Sequence, residues 1–284
     1  MKRLLLLLAA CGGGGGHKPD APPGPRCDPS VPFGSPAPVG GLDSTFDDEG
    51  ARLTPDELTA VFARSRTGGT TDLYLATRTA VDAPFDAPML LGTVNSVNSE
   101  LWPTLSPDAL LLLFDSDRAT MTFHVYSSKR ADAMSPFGPP TASVALADGD
   151  AEPMLANATS LYFTSSTRTG LGMGDIWRVD IDSTGATGTP AAVIGGVNSA
   201  ANETAPAITA DERVMAFARD GDVFLASRSS PSDGFGPAAA VDGLATMGVN
   251  EAPTWISPDA CHLYFQSDAP GGMGGIDLYM AARP

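Results

Sequence analysis

One pattern recurs five times along the chain and limits what the chain can fold into. Its clearest copy, residues 250–280, reads as three short strands: Thr254 to Ser257, a Pro258-Asp259 turn, His262 to Gln266, a glycine-rich loop, then Asp277 to Met280. Earlier copies turn at Pro55-Asp56, Pro107-Asp108, Asn157-Ala158 and Ala210-Asp211. Each turn leads into an apolar strand ending in an aromatic: Phe62, Phe114, Phe163, Phe217 and Phe265. A second aromatic strand follows, marked by Tyr74, Tyr126, Trp177, Phe224 and Tyr279. Turn positions 56, 108, 158, 211 and 259 are spaced by about fifty residues, the period of a β-propeller blade and not of a helical array.

Between the three-strand units lie segments built alike: 33–42, 85–94, 137–146, 191–197 and 235–244, with Phe-Gly at Phe33-Gly34, Phe137-Gly138 and Phe235-Gly236. Proline is frequent in them, as an outer strand permits because one of its hydrogen-bonding rows is unpaired. They are read as the fourth strand of each blade. The chain then begins its folded part with an outer strand and ends it with a three-strand unit. Pairing 33–42 with 277–281 makes all five blades four-stranded and removes the most exposed sheet edge. The expected fold is all-β, a five-bladed propeller closed by its first strand. Cys27 precedes that strand and Cys261 follows the last Pro-Asp turn, so in an up-and-down blade both fall on one face. Either they bridge, stapling the ring, or Cys261 is a small buried thiol.

The units resemble TolB-type, WD40-like propeller repeats, in which Ser-Pro-Asp-Gly precedes an apolar strand ending in Phe and Asp-Ile/Leu-Tyr closes the unit. Ser106-Pro107-Asp108 with Phe114, and Ser257-Pro258-Asp259 with Phe265 and Asp277-Leu278-Tyr279, carry the resemblance best. The glycine after Asp is absent from every copy. The resemblance covers residues 33–284 and implies the fold far more strongly than any function.

The N-terminus carries an address. Lys2-Arg3, the apolar run Leu4 to Ala10 and then Cys11 read as a signal peptide over 1–10, too short to remain as a spanning helix. Leu8-Ala9-Ala10-Cys11 resembles the lipobox of bacterial lipoproteins, which implies lipidation of Cys11; Gly12, where Asp would favour the inner membrane, implies the outer one. Residues 11–32, a glycine run followed by a Pro-rich stretch, form a tether with little to bury. The expected address is the cell envelope, with the membrane reached through the lipid anchor alone and residues 33–284 as one monomeric propeller domain. A formal net charge of −16 opposes unaided binding of nucleic acid or anionic lipid.

Chemistry is thinly supplied. His17, His124 and His262 have no partners at metal-ligand spacing, and neither a nucleophile elbow nor a phosphate loop is present. The acid pairs Asp115/Asp117, Asp148/Asp150 and Asp180/Asp182 open no complete calcium loop, so no cofactor is expected and calcium has only weak support. Acids before the first strand of each unit are more suggestive. They recur at Asp48-Glu49, Glu100, Glu152, Glu203 and Glu251, and Glu100, Glu152, Glu203 and Glu251 would ring one mouth of the central channel, binding a cationic segment or a metal, unless each caps a loop or pairs with the arginine of a neighbouring blade. Because these acids recur with the repeat, the expectation is a non-catalytic envelope scaffold for protein, peptide or glycan partners. The alternatives are a glycosidase with acids around a central pocket, or a lectin-like module using Trp102, Trp177 and Trp255.

Overall fold

The computed structural model describes residues 26–119, 122–183, 185–244 and 248–284. The predicted signal peptide 1–10, Cys11, His17 and the tether up to residue 25 lie outside the described residues. After β1 (Ala37–Pro38) come five units. Blade 1 is β2 (Asp48–Leu53), β3 (Thr59–Ser65), β4 (Thr71–Thr77) and β5 (Met89–Leu90). Blade 2 is β6 (Glu100–Leu105), β7 (Leu111–Ser116), β8 (His124–Lys129) and β9 (Thr141–Ala142). Blade 3 is β10 (Asp150–Leu155), β11 (Ser160–Ser165), β12 (Asp175–Asp182) and β13 (Gly185–Ala192). Blade 4 is β14 (Glu203–Ile208), β15 (Val214–Arg219), β16 (Asp222–Ser227) and β17 (Ala239–Ala240). Blade 5 is β18 (Glu251–Ile256), β19 (His262–Ser267) and β20 (Asp277–Ala282), with β1 as its fourth strand. All pairings are antiparallel, giving the five-bladed β-propeller expected from the repeat.

Closure follows the rule of the other blades. Ala37 opposes Met280 and Pro38 opposes Tyr279, while Gly34 N–H donates to Ala282 O at 2.8 Å. In blades 1, 2 and 4 an arginine past the third strand lies over the phenylalanine seven positions on: Arg78 over Phe85, Arg130 over Phe137 and Arg228 over Phe235, at 4.3–4.6 Å. In blade 5 the same pair is made across the termini, Arg283 over Phe33 at 4.3 Å. The Phe-Gly repeat is therefore a clamp for an arginine, and the N-terminal segment supplies the fifth blade with its copy. Blade 3 departs: its outer strand is a long hairpin return over Gly185–Ala192, beginning before the predicted 191–197 segment.

Cys27 and Cys261 are disulfide-bonded, with Cα atoms 5.7 Å apart across a sequence separation of 234. In the chain-entropy model a loop of that length constrains the unfolded chain by about 5 kcal/mol. Arg26 reinforces the joint with a two-pronged pair to Asp259, Nε to Oδ2 at 2.8 Å and Nη2 to Oδ1 at 3.2 Å. Burial opposes ionisation of Asp259, but the bonds from Arg26 and Ser257 outweigh it and hold the carboxyl well below the usual range.

The missing glycine of the turn motif is visible in the backbone. Glu57, Ala109, Glu212 and Ala260, each following the turn aspartate, have φ of +57° to +62°, the region a glycine would enter without strain. Two of these strained positions are used. Buried Glu57 accepts from Tyr264 Oη of blade 5 at 3.0 Å and lies 2.7 Å from His262 Nδ1. Buried Glu212 accepts from Tyr162 Oη and Ser160 Oγ of blade 3, both at 2.6 Å. Each thus clasps its blade to the preceding one.

Candidate active site at the open end of the axis

The inner strands β2, β6, β10, β14 and β18 run parallel to the axis and make its two ends unlike. At the Pro-Asp turn end, Leu53, Leu105, Leu155, Ile208 and Ile256 stand at equivalent positions with Pro55, Pro107 and Pro258 around them. The space left among them is about 20 Å³, room for roughly one water. That end is sealed.

At the other end each inner strand starts with an acid, and the acids in register are Asp48, Glu100, Asp150, Glu203 and Glu251. Asp150, not Glu152, is the member from blade 3. Four of them pair with an arginine of their own blade: Asp48 with Arg64 (2.6 Å), Glu100 with Arg118 (3.0 Å), Asp150 with Arg168 (2.5 Å) and Glu203 with Arg219 (2.7 Å). Each arginine also lies over the aromatic pair of its second and third strands, Arg64 for example over Phe62 and Tyr74 at 5.2 and 5.3 Å. The carboxylates also accept from loop groups, as Glu100 does from Ser96 N and Oγ. Glu100 and Glu203 are fully buried and Glu251 nearly so. The proposed rim of Glu100, Glu203 and Glu251 is therefore not an open ring of carboxylates. The recurrent acids lock loops, as the structural alternative had it, though with their own blade's arginine and not a neighbour's.

What the mouth presents instead are residues that break the repeat. Every inner strand carries a β-bulge two residues in, placing Gly50, Trp102, Glu152 and Ala205 at φ of +49° to +64°. A bulge turns its N–H out of the ladder, and in blades 1, 3 and 4 a side chain of the preceding blade receives it. Gly50 N donates to Gln266 Oε1 at 2.8 Å, and Glu152 N to Asp115 Oδ2 at 2.7 Å. Ala205 N donates to Glu152 Oε2 at 2.6 Å, which Thr164 Oγ1 also approaches at 2.6 Å. In blade 5 the position is Pro253, which has no N–H, and Ala218 faces it with nothing to accept.

Blades 1 to 3 thereby bring together Arg52, Trp102, Asp115 and Glu152, and Glu49 precedes Gly50, whose backbone packs against that of Trp102. Glu49 is half-buried, and desolvation, with Asp47 and Asp48 nearby, pushes its carboxyl up to about 7. Asp115 is buried, and desolvation holds it well above the carboxylate range despite the bond from Glu152 N. Arg52 is buried with its guanidinium 5.6 Å from the Trp102 ring centre; Nη1 donates to Pro153 O. Across the mouth, blades 4 and 5 bound a cavity of about 430 Å³ lined by Asn202, Thr204, Asn250, Glu251, Gln266 and Asp268 among others, a size that suits a small ligand. Gln266 belongs to both halves, since it lines this cavity and holds Gly50, the neighbour of Glu49.

The remaining sequence candidates do other work. Trp255 is core, packed edge-on to Tyr264 at 5.7 Å, whereas Trp102 and Trp177 are half-buried. Asp117 caps Ser99 N at 2.9 Å, exposed Asp180 pairs with half-buried Arg178, and Asp148 meets His124 Nδ1 at 3.2 Å. Among the described residues no three His, Cys, Asp or Glu side chains are grouped to hold a metal ion.

Neither a family model nor a curated protein matches the sequence. Solved structures do match in fold. TolB from Agrobacterium tumefaciens aligns over 84% of this chain and 74% of its own, with 20% identity and a TM-score of 0.50. The chain spans about half (55%) of TolB from Acinetobacter baumannii. The GH43_1 enzyme from Xanthomonas citri complexed with xylose aligns over 87% and 89% with 12% identity and a TM-score of 0.61. The α-L-arabinofuranosidase PaAbf62A from Podospora anserina, in complex with cellotriose, aligns over 90% and 98% with 11% identity and a TM-score of 0.56. The β-propeller inferred from the TolB-like repeat is thus the fold the chain has. The expectation of a non-catalytic protein is overturned. Glycoside hydrolases share this five-bladed fold over nearly their whole length, and the premise that acids occur only in register with the repeat fails at Glu49, Asp115 and Glu152.

Proposed function

We propose that the open end of the axis is a glycan-processing site and that the chain is a propeller glycosidase. The observation that carries this reading is the split among the mouth acids. Four of the five in register with the repeat are spent on arginines, while Glu49, Asp115 and Glu152 depart from it. Glycoside hydrolysis needs one carboxyl that is protonated near neutral pH and one carboxylate held in place. Glu49, with its carboxyl raised to about 7 by burial, suits the general acid. Glu152, fixed through Oε2 by Thr164 and Ala205 N, suits the base or nucleophile. Asp115 orients Glu152 through its backbone N–H. The xylose and cellotriose held by the fold neighbours point to the same substrate class.

The test is release of sugars from a panel of plant, bacterial and host glycans, followed chromatographically. Glu49→Gln and Glu152→Gln should each lower turnover by about 10³-fold without loss of the folded state. No product from any glycan, or product undiminished in both variants, would overturn the reading.

We also propose the envelope address, with Cys11 as the anchored residue. Supporting it, Arg26 and Cys27 are fastened at the sealed end of the axis, so a tether leaving from there would hold the open mouth away from the membrane. Cys11→Ser should move the protein from the membrane to the soluble fraction; unchanged fractionation would defeat the anchor.

A further inference from the structure

Arg52 is the largest fully buried side chain described, and it makes no ion pair among the described residues. Its Nη1 is spent on Pro153 O, but Nε and Nη2 have no hydrogen-bond partner. These two nitrogens form the edge of the guanidinium whose parallel N–H groups match the two oxygens of a carboxylate. Leaving them unmade in the interior is costly, and a charged donor costs more than a neutral one. Close by, Asp115 accepts from Glu152 N through Oδ2 while its buried Oδ1 is also without a partner. With that carboxyl raised by desolvation, Oδ1 in its protonated form is a third donor lacking an acceptor.

Trp102 lies over this group. It is half-buried at the mouth, stacked on Arg52, and its backbone sits at φ +49°, a conformation that strains a bulky side chain and clusters at ligand clamps.

We propose that Arg52 is a specificity residue that binds the carboxylate of an acidic sugar, so that the mouth selects uronic-acid-containing glycans over neutral ones. Nε–H and Nη2–H donate to the two carboxylate oxygens, Asp115 completes the set, and Trp102 covers the sugar-bearing side. The proposal rests on the glycan reading above for its class of ligand, but not on hydrolysis.

Calorimetric titration of the full chain with methyl glucuronide, methyl galacturonide, methyl xyloside, methyl glucoside and a sulfated N-acetylglucosamine tests it. The uronides should bind at least about 30-fold more tightly than the neutral glycosides. Arg52→Lys, which keeps the charge and loses the fork, should erase that preference, whereas Glu49→Gln should keep it while losing turnover. Equal binding of neutral and acidic sugars, or preference for the tetrahedral sulfate, overturns the assignment even if glycans are hydrolysed. Selective uronide binding without cleavage of any uronide overturns the glycosidase reading and leaves Arg52 assigned. Should Arg52→Lys fail to fold, the wild-type preference and a thermal shift by uronide but not glucoside decide the question.

Discussion

The two ends of the propeller axis are built from the same five strands and have opposite chemistry. At the turn end the repeat is kept: five aliphatic residues, three prolines and a residual space of about 20 Å³. Toward the other end, one to four residues earlier on the same strands, the repeat is broken by Glu49, Arg52, Trp102 and Glu152. Repetition is what packing rewards, because five equivalent side chains around an axis fill it evenly. A ligand that is not fivefold symmetric gains from one sector differing from the rest. The residues that spoil the symmetry therefore mark the working end, and the two ends should respond oppositely to mutation.

The largest expected effect is at the sealed end. Cys27→Ser or Cys261→Ser should cost up to about 5 kcal/mol of stability by denaturant titration, with glycan turnover retained while the protein is folded. A loss under about 1 kcal/mol would mean that Arg26 with Asp259 and the β1–β20 pairing hold the joint by themselves. Ile208→Ala, which empties part of the plug, should cost about 3 kcal/mol and again spare the mouth. At the mouth the sign reverses. The Glu49 carboxyl is raised in the folded state, so folding favours its proton; stability attached to it is present below about pH 4.5 and lost as pH rises through about 7. Glu49→Gln should therefore melt like wild type at pH 4 and higher than wild type at pH 8, while turnover in the wild type falls as pH rises past 7. The smallest effect tests the shared turn: Ala109→Gly, at φ +57°, should gain about 0.5–1 kcal/mol.

Blades, closure and disulfide were legible because each rests on spacing, and spacing survives in a single sequence. The in-register acids were misread in blade 3, where Asp150 and Glu152 both precede the turn and only the bulge decides which one starts the ladder. Arginine partners were expected, but from the neighbouring blade. Arg64 lies two residues past its aromatic, Arg118 four, Arg168 five and Arg219 two, because loops of different length return each guanidinium to the same place. The site was illegible for a deeper reason. Reading for recurrence groups Glu49 with the acids in register, weighs Asp115 only as half of a calcium pair and passes over Arg52, and their significance lies in not recurring. Burial of Arg52 with Nε and Nη2 unmet is a fact of three dimensions that no pattern carries.

The order in which the chain is made gives the closure a further consequence. Ala37 and Pro38 leave the ribosome among the first folded residues, yet their partners Met280 and Tyr279 leave among the last. Contacts so distant along the chain are slow to form, and until they do the growing protein carries an unfinished sheet at each end. Closure of the ring is thus forced to wait until Met280 has been made, and any cellular helper that shields nascent edges would have to stay until then.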